Sequence, residues 1–169
     1  MSLPFPSPTL PAADRAEVLL RYLDYFRESL IAKVAELPEE ELRRSRLPSG
    51  WTPLELVKHL RFVELRWISW GFQGCDVGDP WGDERDDRWH VTADETRDGL
   101  LDSLREQGRH TAEVVAANDL EAVGAPSPRW DGKPPASLER VLLHLMQEYA
   151  RHLGHLDIVA ELAGGPTGE

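Results

Sequence analysis

Apolar residues recur at intervals of three and four positions in four stretches of the chain, separated by segments that contain Pro and Gly. This spacing places apolar side chains on one face of a helix, and no stretch shows the strict alternation of a half-buried strand. We therefore predict helices over about residues 14–36, 52–70, 94–118 and 138–162. Four helices of this length with polar connections predict an all-α fold, an up-and-down four-helix bundle.

The starts of the predicted helices carry residues that cap helices. Asp14 and Ser137 precede the first and the last helix, where their side chains can accept hydrogen bonds from free backbone N–H groups. Thr52 precedes the second helix, Pro53 occupies its first position, and Glu55 completes a capping-box pattern. These residues support the boundaries that the apolar spacing predicts.

The other segments connect the helices within what we expect to be one domain, residues 1–169. They comprise an N-terminal tail and two long loops: residues 1–12, 73–93 and 119–137. The first loop contains Trp81 and Trp89, and loops this long are often functional. The alternative is that these two side chains only close the open end of the bundle.

Composition and charge exclude several classes of function. The net charge of -11, from 30 acidic and 19 basic residues, disfavours binding to nucleic acid. Cys75 is the single cysteine and cannot form an internal disulfide. No apolar run approaches the roughly 20 residues that cross a bilayer, and the N-terminus lacks the pattern of a signal peptide. We therefore expect a cytoplasmic protein without a membrane partner.

One face of the last predicted helix carries a cluster of residues that can bind metals. Within an arc of about 80°, at 100° per residue, lie His144, Glu148, His152 and His155. Apolar residues flank this arc, so the cluster borders the core, where unpaired carboxylate and imidazole groups are costly to bury. A divalent metal removes that cost, and Glu148 and His152 can reach one ion from a single helix. His59, among apolar residues of the second helix, can supply a third ligand.

Two other interpretations of these residues stay open at this point. Glu148 and His152 are four positions apart, which is also the spacing of a common helix salt bridge. His59, taken alone, fits a surface residue or a hydrogen-bonded core residue equally well. His144 and His155 can be neighbours of a metal site, substrate contacts or surface groups.

Three motifs resemble the DinB/YfiT-like superfamily, a family of proposed metalloenzymes. They are Trp51-Thr52-Pro53 followed by Val57-Lys58-His59-Leu60, Pro80-Trp81 with Trp89-His90-Val91, and the segment from Val141 to His155. The resemblance is closest to actinobacterial proteins of unknown function related to mycothiol-dependent maleylpyruvate isomerase. It implies a four-helix bundle that binds a divalent metal, zinc or alternatively nickel. The implied ligands are His59, Glu148 and His152; Glu148 stands where many members have His.

The resemblance also suggests what the protein does. We expect a metal-dependent transferase or isomerase that acts with a low-molecular-weight thiol such as mycothiol on a small-molecule electrophile. His144, His155, Trp81 and Trp89 would shape the electrophile's pocket, and Arg151 would contact an anionic substrate. A metal-dependent hydrolase and a non-catalytic, metal-stabilised binding or stress-response module are the alternatives.

The first two predicted helices hold more aromatic residues than one bundle core of this size needs. They are Tyr22, Tyr25, Phe26, Phe62, Trp67 and Trp70. Surplus aromatic side chains are typical of a protein interface. We therefore expect some of them to lie at the interface of a homodimer.

Overall fold

The computed structural model describes residues 4–165, so the first three residues of the predicted tail lie outside it. Helices dominate this part of the chain: α1 (Arg15–Glu36), α2 (Glu39–Leu42), α3 (Pro53–Glu64), α4 (Arg97–Ala116) and α5 (Leu138–Leu162). A π-helical segment, Leu65–Phe72, continues α3, and Pro128–Trp130 forms a 3₁₀ turn. The prediction of an all-α fold is confirmed.

Capping explains where the long helices begin. Asp14 accepts a hydrogen bond from the backbone N–H of Glu17, and Thr52 forms the full capping box with Glu55. Thr96 caps α4 by accepting from the backbone N–H of Gly99, so this helix begins three residues later than predicted. Ser137 stands at the start of α5, but its side chain makes no capping hydrogen bond, so that detail of the prediction is wrong.

The core lies between the four long helices. Each contributes side chains that are fully buried, among them Leu30, Leu60, Leu104 and Leu145. Helix α1 packs mainly against α5, and α3 mainly against α4. Burying one Leu or Ile side chain contributes about 1.5–3 kcal/mol to the free energy of folding. Burial of these apolar faces is therefore the main source of stability for the packed helices. Among residues 4–165, no helix combines the length and the apolar character needed to cross a bilayer.

Two local features differ from the expectation of plain helices and structureless loops. The loop 73–93 contains a small hairpin of β1 (Glu84–Arg85) and β2 (Arg88–Trp89). Its turn residues, Asp86 and Asp87, both have positive φ (52° and 57°), as a two-residue type I′ turn requires. Strands of two residues are too short to show alternation in a sequence. The second feature, the π segment after α3, is of the kind often found at functional sites.

Candidate metal centre

The structure brings together three side chains that can bind one metal ion. His59 of α3 and Glu148 and His152 of α5 each offer one ligand atom, and these atoms lie within 4.8 Å of one another. We call this group the triad. Its side chains are mostly buried, with 12% exposure for His59, 20% for Glu148 and 10% for His152. Two imidazoles and one carboxylate are a common protein ligand set for zinc and leave room for a further ligand.

The position of His59 is fixed by a carboxylate behind it. Nδ1 of His59 lies 3.0 Å from Oδ2 of Asp83, a residue that is fully buried. Arg66, from the π segment, donates two hydrogen bonds to the same carboxylate, at 2.6 and 3.2 Å. A carboxylate on one ring nitrogen orients the ring and leaves the other nitrogen, Nε2, for a further partner. Trp89 covers the ring in a stacked arrangement at 4.0 Å between centroids.

The two residues of α5 contact each other and a third His. Nε2 of His152 lies 3.3 Å from Oε2 of Glu148, and Nε2 of His144 lies 3.4 Å from the other oxygen. The expected salt-bridge geometry is therefore present, yet it occurs at a mostly buried position beside His59. The remaining nitrogen of His152, Nδ1, is buried without a hydrogen-bond partner among residues 4–165. This donor set fits a divalent cation, and ligation by these residues stays a prediction.

The surroundings of His59 and Glu148 favour the protonation states that bind cations. Burial lowers the pKa of His59, so its imidazole is neutral near pH 7. The hydrogen bond from His152 lowers the pKa of Glu148, against an opposing effect of burial, and His144 adds to the lowering. Burial raises the pKa of Asp83, but the hydrogen bonds from His59 and Arg66 outweigh it and keep the carboxyl ionised. Neutral imidazole and ionised carboxylate are the forms that bind metals.

A family comparison places this centre in a known context. The family model for mycothiol-S-transferase matches residues 18–165, which is most of the chain and includes the whole triad. The chain belongs to the mycothiol S-transferase family. The resemblance to the DinB/YfiT-like superfamily agrees with this membership. A comparison with curated proteins found no match.

Trp89 and His155, two other residues that the sequence singled out, lie at different distances from the triad. The ring of His155 lies 5.5 Å from that of His152 and 6.4 Å from that of Trp51. Trp89 lies directly on the triad, with its ring 5.4 Å from that of His152. His155 does not join the triad's ligand atoms in the part of the chain described.

Trp81 and Arg151 lie outside the triad, and the exposed position of Arg151 agrees with the alternative of a solvated surface residue. The guanidinium of Arg66 lies 4.4 Å from the centroid of the Trp81 ring, and Trp81 is 45% exposed. Trp81 therefore reaches the triad only through Arg66 and Asp83. Arg151 is exposed on α5 and makes no ion pair or side-chain hydrogen bond among residues 4–165. A role for either in binding substrate stays a prediction.

Two pockets are lined by side chains that contact the triad, one by Trp89 and the other by His144. One, of about 580 Å³, is lined by Trp51, Trp89 and the charged residues of the hairpin. The other, of about 460 Å³, is lined by His144 and Trp67 together with residues of the loop before α5. The ring of Trp67 lies 4.5 Å from that of His144. The site can therefore receive small molecules beside the triad.

Sequence reasoning missed Asp83 and Arg66. Asp83 is one of several acidic residues in the loop 73–93, and no spacing rule links it to His59. For Arg66 the sequence held a weak indication, because this charged residue lies within the apolar run of the second predicted helix. A charge buried there requires a partner of opposite charge.

Proposed function

We propose that this protein transfers a small electrophilic group to the sulfur of mycothiol, with the triad holding a divalent cation. The observation that carries the proposal is the meeting of His59, Glu148 and His152 in a chain that belongs to the mycothiol S-transferase family. Zinc is the cation that this ligand set favours, with nickel as the alternative. When bound, the cation would act as a Lewis acid that lowers the pKa of a thiol.

The chain's own residues would orient the reactants and exclude water. Asp83 fixes the ring of His59, and Trp89 covers that ring. Burial lowers the pKa of His144, so its imidazole is neutral near pH 7. Nε2 of this imidazole lies beside the carboxylate of Glu148. In the reaction, sulfur forms a bond to the electrophilic carbon, the leaving group departs with its electron pair, and the thiol proton passes to solvent.

The geometry supports this proposal over the two alternatives. A purely structural metal site has four protein ligands, and His155 lies outside the set of ligand atoms in residues 4–165. Family membership favours a thiol over water as the attacking group. The cytoplasm is the proposed compartment, because its reducing conditions keep thiols reduced.

The test is a conjugation assay. Zinc-loaded protein is mixed with mycothiol and 1-chloro-2,4-dinitrobenzene, and formation of the thioether is followed by absorbance. We expect turnover by the wild type and a loss of at least about 100-fold in His59→Ala, since removal of a ligand should cost at least as much as removal of its hydrogen-bonded partner. His110→Ala, which removes a His outside the triad, should leave the rate unchanged.

Two results would contradict the proposal. Equal product formation by His59→Ala and the wild type would remove the triad from the reaction. Release of chloride without consumption of mycothiol would indicate a hydrolase instead. Circular dichroism of both variants shows whether either substitution has unfolded the bundle.

A further inference from the structure

The pocket beside His144 has an unusual charge for this protein. Three cationic residues line it: Arg129, Lys133 and Arg140. Asp131 is the one acidic residue in the same lining. The chain as a whole carries a net charge of -11, so the positive charge of this pocket is opposite in sign to that of the whole protein. We call this site the cationic pocket.

The cations of this pocket have no carboxylate partners in the fold. Among residues 4–165, none of the three forms an ion pair with a carboxylate. Nε of Arg129 is buried and has no hydrogen-bond partner in the same part of the chain. A guanidinium that is partly removed from water without a carboxylate partner is costly, and an anion bound at its other nitrogens would offset that cost. The pocket therefore has positive charge available for an anionic ligand.

An aromatic wall gives the pocket a flat side. The guanidinium of Arg129 lies over the ring of Trp67, 3.7 Å from its centroid, and Trp130 packs 6.1 Å from the same ring. Stacking on Trp67 holds the guanidinium plane in one orientation. A flat ring that carries an anionic group matches a guanidinium held in this way.

The pocket adjoins the triad through one residue. His144 lines the pocket, and its Nε2 lies 3.4 Å from Oε1 of Glu148. The pocket on the other side, lined by Trp51 and Trp89, has mixed charge from Glu55, Asp86, Asp87, Arg85 and Arg88. Its mixed lining gives no reason to select an anion. The cationic pocket is thus the side of the site where an anionic reactant fits.

We propose that the cationic pocket binds the carboxylate of a planar aromatic electrophile and presents its reactive carbon to the triad. This inference rests on the proposed thiol transfer and adds the class of the second substrate. Arg129 and Arg140 would bind the carboxylate, and Trp67 would hold the guanidinium of Arg129 in the orientation that this contact needs. The thiol sulfur would displace a leaving group such as chloride, which departs with the bonding electrons while the thiol proton passes to solvent.

Equilibrium binding tests the pocket without any reaction. The probe is 4-chloro-3-nitrobenzoate, whose nitro group quenches tryptophan fluorescence, added to full-length protein treated with EDTA and without thiol. We expect saturable quenching, and at least about tenfold weaker binding of the uncharged analogue 4-chloro-3-nitrobenzamide, because a charge-assisted hydrogen bond is lost. Arg129→Gln and Arg140→Gln should each weaken binding of the benzoate by a similar factor. Arg109→Gln removes an exposed positive charge from α4, outside the pocket, and serves as the matched control.

The outcomes separate this inference from the proposed function. Equal affinity for the benzoate and the benzamide, or unchanged benzoate binding in both Arg129→Gln and Arg140→Gln, would overturn the cationic pocket. Binding that needs zinc and ignores both substitutions would place the carboxylate on the cation and also overturn it. Because the assay contains no thiol, benzoate binding with the expected dependence on both arginines supports the pocket even if the conjugation assay shows no turnover.

Discussion

At the scale of single residues, the contact between Asp83 and His59 determines how well the centre is prepared for a metal. Asp83 is fully buried and accepts hydrogen bonds from Arg66 while it holds Nδ1 of His59. Asp83→Asn keeps the shape but removes the charge, so the imidazole becomes a weaker and less well oriented ligand. We expect zinc affinity to fall by roughly 10–100-fold. Competition with a chromogenic chelator measures this change.

Asp76→Asn is the matched control for this prediction. It makes the same substitution in the same loop, but Asp76 is exposed and, within residues 4–165, accepts only from the backbone of Gly78. Its zinc affinity should equal that of the wild type. Unchanged affinity in Asp83→Asn would show that Asp83 only neutralises Arg66 and does not position His59.

The residue scale also shows what a sequence can and cannot reveal about a site. Spacing put Glu148 and His152 on one face of a helix, and the apolar surroundings of His59 made it a candidate third ligand. Resemblance then favoured this set, and the structure brings the three together. Asp83 could not be found in this way, since loop residues follow no periodicity and their contacts arise only when the chain folds. For the same reason, the sequence could not show that Trp89 stacks on His59 whereas Trp81 packs on Arg66.

At the scale of helices, a buried polar network fixes the register of α5 against α3. Glu64, the last residue of α3, is fully buried and accepts hydrogen bonds from Arg27 (2.9 Å), Thr111 (2.6 Å) and the hydroxyl of Tyr149. Burial, together with the charge of Glu64, raises the pKa of Tyr149 well above its ordinary value, so the hydroxyl stays protonated and donates. Since Tyr149 follows Glu148 directly, this contact helps set how α5 faces His59.

Removing that hydroxyl tests the network. Tyr149→Phe leaves the ring in place but takes one donor from a buried carboxylate, which should lower the free energy of unfolding by roughly 1.5–3 kcal/mol. Urea unfolding of the metal-free protein measures the loss. Tyr25→Phe removes a hydroxyl that makes no hydrogen bond in residues 4–165 and should change stability by less than about 0.5 kcal/mol. Equal losses in the two variants would contradict a specific role for the Glu64 network.

The helices themselves were largely predictable, and the exceptions have physical reasons. Apolar spacing and caps such as Thr52 with Glu55 located the four long helices, because burial and free N–H groups both act locally. The π segment Leu65–Phe72 left no such trace: it packs against the 3₁₀ turn at Trp130, a contact between distant parts of the chain that apolar spacing does not predict. Glu64 carried a readable signal, because it lies four residues after Leu60 on the buried face.

At the scale of the whole molecule, many of the aromatic side chains that suggested a dimer interface pack against other residues of the same chain. Phe5 packs edge-on against Tyr22 and Tyr25, with ring centroids 6.3 and 5.4 Å apart. Trp70 contacts Trp81, and Trp67 lines the cationic pocket. These contacts weaken the original reason for expecting a homodimer, and that expectation stays a prediction, as does the single domain over residues 1–169.

The triad joins two helices that are far apart in sequence, so a cation bound there should stabilise the entire bundle. A ligand that binds only the folded state at 100 times its dissociation constant adds about 2.7 kcal/mol. For a chain of this size, that corresponds to a rise of roughly 5–10 °C in the unfolding temperature. We expect this rise when zinc is added to EDTA-treated wild type, measured by circular dichroism. His152→Ala should lose it, because α5 then keeps only Glu148 of the triad, whereas His110→Ala should keep it. An equal rise in His152→Ala would mean that zinc binds elsewhere and that the triad is only a buried polar contact between α3 and α5.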